Sequence, residues 1–599
     1  MTRPKYPLPR RAVLTAAFLC AIAALLTLAF ILINGVNVPF ADEWWYGGLV
    51  KSVGSGHATF NIFWSPNNEH RMLIPRLEFS TLAVLTHWNS KVMMIVGWLA
   101  AVGTMLFVFS QFKKIYSPAH PTLWTASVGV SAAALFSLVQ LENWLWAFQF
   151  AFFFIQFAVV AGVILLCRSH LALWLRLLAV VALGSTASFS SAQGLLIWPT
   201  LMLSLSLTND SPRKKVLGLL CLLISAAIVS FFYFLGLQHT TELQLRPEQI
   251  IEKAQLPFFG FFGLVGNPLA HWISYEHLPH RAWFIGLSIT IVFLFLTFIL
   301  TKRRRLPDAA PWFGLGAYAY SFCLVTTYGR LGMGYTGSFL AGRYTTHVAL
   351  LPIVILALNL IALNSTKAES TERHAQLSRI QVLATFSVTL GIAALLVIGD
   401  FESFKSGAIE RRDRLLAARL IPFFTYFDPE VDGTMTGPFY PLCPLRCMMI
   451  FDLGIRQLSD AGYFGRLDNV RFVPTEVQAT GNYAVDPRII EARYLGTVEQ
   501  GWYLSGAVSL EPKIITNLIF FKPVGSGAFV AATELRPAAD RGDAECRYKW
   551  HMFLSPFILP DPETPLEMWV YNQQSNEFVK IHQNADQWKK ADHAPKPGA

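Results

Sequence analysis

The sequence predicts a polytopic α-helical membrane protein of about eleven crossings, followed by a C-terminal β-rich, sandwich-like exported domain. Three observations predict it. Of 599 residues, 53% are hydrophobic and only 14% are charged, where an ordinary soluble protein carries about 25% charged residues. The apolar residues gather into runs of the length that crosses a bilayer, about 17–25 residues. The basic residues behind the net charge of +10 fall mostly in short loops that alternate along the chain, which is the positive-inside pattern that sets topology. No basic platform interleaved with aromatics is present, so nucleic acid is not an expected partner.

The first run, 12–34, follows Arg3, Lys5, Arg10 and Arg11 and continues into Asn34-Gly35-Val36-Asn37. A cleaved signal would have a shorter apolar core and a small-residue cleavage site. The run reads as a retained signal-anchor with a cytoplasmic N-terminus. Further crossings are expected at 90–112, 122–140, 147–166, 172–188, 192–208, 216–237, 282–300, 309–327, 345–363 and 379–398. They place Lys113, Lys114, Arg168, Arg213, Lys214, Lys215 and the basic run 302–305 on the cytoplasmic side, with Lys367, Arg373 and Arg379.

Two apolar stretches do not fit a crossing. Residues 73–86 are amphipathic and interrupted by Pro75, Arg76 and Glu78, which suits a helix lying in the interface. Residues 256–272 are broken by Pro257, Gly260, Gly263, Gly266 and Pro268, as in a re-entrant or surface-lying helix beside a cavity. The expected organisation is a membrane domain over 1–400 with a first outward loop at 35–89, a stalk over 401–470, a β-rich domain over 471–588 and a disordered tail over 589–599. Short β-prone runs alternating with Gly, Pro and Asp turns carry the β assignment. The whole is expected in a membrane among its lipids, with the C-terminal domain on the periplasmic or extracellular side.

Cys20, Cys167, Cys221 and Cys323 lie in or beside apolar runs and read as small core residues. Cys443 and Cys447 could form a local disulfide in an oxidising compartment, which leaves Cys546 unpaired; a metal site there is the weaker reading, for want of a second ligand pair.

The chemistry-bearing residues fall at the outward ends of the runs. Asp42 and Glu43 sit among Trp44, Trp45 and Tyr46. A carboxylate at the membrane boundary can act as general base toward a hydroxyl or help hold a divalent cation such as Mg or Mn; the competing reading is a solvated acid in an interfacial aromatic belt. Asn68, Glu69, His70 and Arg71 follow, with Arg76 beyond. The arginines suit fork-like bonds to a phosphate and His70 a proton or a metal, while Asn68 and Glu69 also suit a helix start. Gln140, Glu142, Asn143 and Gln149 cluster at a turn between two runs and read as a pocket wall; Ser191, Gln193 and Trp198 read as packing.

The last group is Arg330, a Gly-rich stretch 332–337, then Arg343 and Tyr344. Outward arginines run against the positive-inside bias, and two of them around a flexible loop suit a phosphate at the membrane surface; lipid-headgroup anchoring is the competing reading. No Walker A, dinucleotide fingerprint or nucleophile elbow occurs, so the activated substrate is expected already in the membrane.

The acidic pair in Ala41-Asp42-Glu43-Trp44, Asn68-Glu69-His70-Arg71 with Pro75-Arg76, Gln140-Leu141-Glu142-Asn143 with Trp146 to Gln149, and Ala341-Gly342-Arg343-Tyr344 resemble poorly characterised bacterial members of the GT-C glycosyltransferases. The resemblance covers about residues 10–400. It implies a polyprenyl-phosphate-sugar donor and an envelope glycan or lipid acceptor on the outer face. It implies Asp42 as catalytic base, Arg330 or Arg343 as donor-phosphate ligands, and Glu43, Glu69 and Glu142 as supporting or metal-binding acids. The first loop lacks the Trp-Trp-Asp-Tyr-Gly and D-x-D patterns of oligosaccharyltransferases. The rival class is a transporter or flippase for a lipid-linked or anionic solute, marked by mid-span charges or paired broken helices.

Overall fold

The fold comes from a computed structural model that describes residues 9–67, 70–168, 170–237, 255–271, 278–331, 339–364, 372–427, 448–464, 467, 470–492, 497–510, 516–537, 546–554 and 564–583. The chain divides into two compact units, Met1–Asn37 with His57–Ala408 and Val38–Gly56 with Ile409–Ala599. The expected boundaries shift accordingly. The stalk is not a body of its own, and the outward loop 35–89 is split between the units. The residues at 443, 447 and 589–599 lie outside the described set.

The first unit is helical, and the protein is a multi-pass membrane protein. Among the described residues, eight helices are long and apolar enough to cross a membrane: Arg10–Asn34, Ser90–Ile115, Pro121–Leu145, Ala147–Leu166, Pro212–Phe234, Leu278–Lys302, Gly342–Leu363 and Arg379–Tyr426. The other three expected crossings are also helices. Two are shorter, Leu173–Ser188 and Ile197–Leu207. The third, Leu306–Arg330, is less apolar and buries Trp312, Tyr318, Cys323 and Thr327; a helix that faces protein rather than lipid need not be apolar all round.

Burial separates central from peripheral helices. The most apolar window of Gly342–Leu363 is 94% buried, whereas that of Arg10–Asn34 is 22% buried. The end of the most enclosed helix is therefore where a protein-lined site can form. The broken stretch folds as the helix Gln255–Gly266. It crosses Leu278–Lys302 at two glycines: a Cβ on Gly266 would lie 1.8 Å from Ala282 O, and one on Gly286 would lie 1.9 Å from Phe262 O. Small residues let the two backbones meet, and this contact anchors the short turn that begins at Asn267.

In the second unit, eight strands form one sheet of order β4-β3-β7-β8-β1-β2-β6-β5. They are β1 Arg471–Ala492, β2 Thr497–Leu510, β3 Leu518–Pro523, β4 Ala531–Glu534, β5 Arg536–Pro537, β6 Cys546–Leu554, β7 Leu566–Asn572 and β8 Glu577–Gln583. The two ends of the order, β4 and β5, are consecutive in the chain; β4 pairs with β3 and β5 with β6. The sheet thus curls back on itself, and Thr533 Oγ1 donates to His551 O at 2.9 Å across the closure. Leu504, Val508, Ile519, Phe521, Trp550, Met568 and Val570 fill the enclosed core. The expected sandwich is one curled sheet, with alternate side chains directed inward.

Outside the sheet, Phe423 packs 5.2 Å from Phe520 and Phe529 4.8 Å from Phe578 between ring centroids, so the turn Ile421–Tyr426 covers an aromatic face. Residues 38–56 join this unit through the helix Met448–Asp460, where a Cβ on Gly454 would lie 2.5 Å from Trp44 O.

Candidate functional site

At the end of the crossing Pro121–Leu145, just before Ala147–Leu166, the chain turns through Leu138–Gln140 and Leu141–Leu145. Asp400, on the helix Glu372–Leu420, holds this turn: its Oδ1 accepts from Ser137 Oγ at 2.6 Å and from the Leu138 N–H at 2.7 Å. A borrowed carboxylate thereby caps the orphan donor at the start of a short helical segment. The turn presents Glu142 and Asn143 on one side.

Both meet the segment that opens Gly342–Leu363. Glu142 Oε2 accepts the Arg343 backbone N–H at 2.9 Å, and Oε1 accepts from Arg343 Nη1 at 3.0 Å. Asn143 Nδ2 donates to Arg343 O at 2.9 Å and to Thr346 Oγ1 at 2.6 Å. Thr346 Oγ1 donates in turn to Gln140 Oε1 at 2.6 Å, and Gln156 Nε2 donates to Thr346 O. Arg343 is thus held at its backbone on both sides and at its guanidinium. The pair is not sealed, since the Arg343 side chain keeps 29% exposure.

Arg330, at the end of Leu306–Arg330, joins the same group by donating from Nε to Tyr344 Oη at 3.1 Å. The guanidinium of Arg343 lies 5.2 Å from the Tyr344 ring centroid. Sequence segments around 142, 330 and 343 therefore converge, with two guanidinium groups linked through one tyrosine. The stretch 332–337 lies outside the described residues.

Arg71 and Arg76 are placed differently from the expectation of phosphate binding. Arg71 is 1% exposed; it donates from Nε to Tyr233 O at 2.9 Å, from Nη1 to Trp64 O and from Nη2 to Leu235 O, and lies 4.4 Å over the Trp64 ring. Arg76 donates to Ile62 O at 3.0 Å, to Pro66 O at 3.2 Å and to Ser65. Arg71 thus gathers carbonyls left over at the ends of two helices, Phe60–Trp64 and Pro212–Phe234, and Arg76 gathers those at the end of Phe60–Trp64. Burial lowers the pKa of Arg71, with the Arg76 charge acting in the same direction and Tyr233 against it. His70 closes a tight turn with Asn67, its N–H donating to Asn67 O at 2.9 Å; Glu69 lies outside the described residues.

Asp42 and Glu43 belong to the second unit. Glu43 is fully buried and its Oε2 accepts the Phe40 N–H at 3.2 Å, so it turns back to cap its own helical turn, Ala41–Tyr46. This use of Glu43 is a cap, where the sequence had it as part of a catalytic pair. Asp42 is half-buried. The residue before it, Ala41, has φ +49°, a left-handed conformation that costs a residue with a Cβ about 1–2 kcal/mol. Among the described residues, no three His, Cys, Asp or Glu side chains gather as a metal-binding group.

Sequence reasoning passed over Asn267, His271, Thr346, Gln156 and Asp400. The usable signal was a lone amide or acid inside an otherwise apolar stretch, as at Gln156, Asn267 and Asp400. No known protein family and no curated protein matches the sequence. Among solved structures, the chain is similar to ArnT from Cupriavidus metallidurans bound to undecaprenyl phosphate, at 12% identity over 77% of this chain and 82% of that one, with a TM-score of 0.34. A score that low carries no assignment of fold or activity.

Proposed function

We propose that the protein is a membrane-embedded glycosyltransferase that moves a sugar from a polyprenyl-phosphate donor to an envelope glycan or lipid acceptor. The reaction is placed at the outer face of a bacterial inner membrane, with the N-terminus cytoplasmic and the C-terminal domain periplasmic. The observation that carries the reading is the arginine group at the end of the most enclosed helix: Arg343 fixed by Glu142 and Asn143, and Arg330 linked to it through Tyr344. Guanidinium groups suit a phosphate oxygen geometrically. A rigid positive site at a crossing's end suits a phosphate borne by a lipid.

In the proposed step, the acceptor hydroxyl oxygen bonds to the anomeric carbon while the bond from that carbon to the phosphate oxygen breaks. The polyprenyl phosphate leaves with the bonding electrons, its new negative charge held by Arg330 and Arg343. The hydroxyl proton passes to a carboxylate base, for which the sequence resemblance nominates Asp42. Asp42 stands in this role on sequence grounds and on the strained backbone at Ala41, since such strain tends to persist at functional positions. No step is routed through Mg or Mn.

The test is envelope glycan composition by mass spectrometry in cells carrying the wild-type chain, Arg343→Ala, Asp42→Asn, or none. A sugar lost without the protein and also lost in both variants at normal expression supports the reading. Unchanged glycan in the Arg343→Ala and Asp42→Asn cells sinks it.

A further inference from the structure

Asn267 and His271 lie just past Gln255–Gly266, four residues apart. Asn267 is fully buried. Its Nδ2 donates to Ala341 O at 3.4 Å and to Thr345 Oγ1 at 3.3 Å. Those acceptors fix the amide, because the opposite orientation would set its oxygen against the Ala341 carbonyl. Oδ1 therefore faces His271 Nε2, 2.8 Å away, and an amide oxygen can only accept. The proton of the neutral ring is on Nε2 and its lone pair on Nδ1.

Burial lowers the His271 pKa to about 4, so the ring is neutral at physiological pH. Nδ1 has no hydrogen-bond partner among the described residues. The residue is half-buried rather than sealed. With its proton committed to the buried Asn267 amide, the neutral ring presents Nδ1 as an acceptor of fixed direction. The pair is also tied to the site already described. Asn267 grips residues 341 and 345, on either side of Arg343, and a Cβ on Gly399 would lie 3.3 Å from His271 O and 2.8 Å from the Val139 side chain.

We propose that His271 Nδ1 accepts a hydrogen bond from a hydroxyl of the donor's sugar, with Asn267 as the positioning residue that sets the ring's tautomer and angle. The inference rests on the donor reading above and adds to it a contact with the sugar, separate from the phosphate arginines. A ligand without that hydroxyl leaves a directed acceptor unfilled, which is how a polar site discriminates.

The experiment measures binding to the full chain in nanodiscs of undecaprenyl phosphate and of undecaprenyl-phosphoryl glucose, mannose and arabinose. His271→Gln can keep the donor toward Asn267 Oδ1 but has no acceptor at the Nδ1 position. His271→Asn can set an amide oxygen near that position. The expected result is that at least one sugar-bearing lipid binds the wild type more tightly than undecaprenyl phosphate does. His271→Gln then weakens that lipid about tenfold, the scale of one hydrogen bond, and leaves undecaprenyl phosphate within about twofold; Asn267→Ala lowers the preference for that lipid over undecaprenyl phosphate, and His271→Asn stays nearer the wild type. Equal weakening of both lipids by His271→Gln, no weakening of either, or no preference for any sugar-bearing lipid overturns the inference. Failure of the wild-type chain to bind undecaprenyl phosphate overturns the donor reading and the inference with it.

Discussion

Replacing Glu142 with Gln tests whether Arg343 is held in place or merely nearby. The carboxylate accepts two bonds with its two oxygens, one from the Arg343 backbone at 2.9 Å and one from its guanidinium at 3.0 Å. The amide has one oxygen for those two donors, so its NH2 must face one of them. A hydrogen bond to a charged group contributes about 1.5–3 kcal/mol net. Exposures of 11% for Glu142 and 29% for Arg343 leave some solvent screening, which places the expected loss near about 2 kcal/mol, or roughly thirtyfold.

The assay is binding of undecaprenyl phosphate to the full chain in nanodiscs, carried through the cycle of wild type, Glu142→Gln, Arg343→Gln and the double variant. Glu142→Gln is expected to weaken binding about thirtyfold in the wild-type background, and less than about threefold where Arg343 is already Gln, since contacting residues couple. Equal losses in both backgrounds would mean that Glu142 acts independently of Arg343, and the argument from geometry would be refuted.

Ala41→Gly relieves the left-handed strain at φ +49° and is expected to stabilise the second unit by about 1 kcal/mol, while the looser backbone lowers transfer activity; thermal unfolding beside glycan mass spectrometry checks both. Arg71→Lys leaves two of the three carbonyls at Tyr233, Trp64 and Leu235 without a donor, at a cost of about 2–3 kcal/mol. Its signature is a lower unfolding midpoint with unchanged lipid preference. Burial pushes the Glu567 carboxyl up, but bonds from Lys580 and Trp569 and the charges of Lys580 and Lys522 outweigh that and hold its pKa below the usual range. A carboxyl with a depressed folded pKa stabilises the folded state above its unfolded value and loses that stabilisation as pH falls through the folded one. Hydrogen exchange over 566–583 should therefore quicken below about pH 4, and Glu567→Gln should remove that dependence.

The crossings were legible because an apolar run of bilayer length admits few other folds. The convergence of 142, 330 and 343 was legible because polar residues at the ends of apolar runs must find protein or water partners. The role of Arg71 and Arg76 was not: residue type cannot say whether a guanidinium meets a phosphate or a leftover carbonyl, and Tyr233 O is 162 residues from Arg71. The cap at Glu43 was hidden for a local reason, since an acid beside an acid suggests chemistry although its three-residue spacing from Phe40 also makes a cap. The curled sheet was hidden because β1 pairs in parallel with β8, far along the chain and with register shifts, and short-range pattern carries no such pairing.

Transport remains the physical rival, and the buried network bears on it. Alternating access needs polar groups that change partners as one bundle moves against another. Beneath Arg343, the side-chain N–H groups of Gln140, Asn143 and Gln156 go to Leu135 O, to Arg343 O with Thr346 Oγ1, and to Thr346 O. Three of these acceptors are backbone, and the network joins a turn, two crossings and the start of a third. Breaking any one bond would strand a buried donor at the full desolvation cost, so the arrangement favours one geometry. Stabilising a charge that appears only during reaction calls for such fixed donors, since they need no reorganisation at that moment. That requirement, more than the residue types themselves, favours transfer over transport.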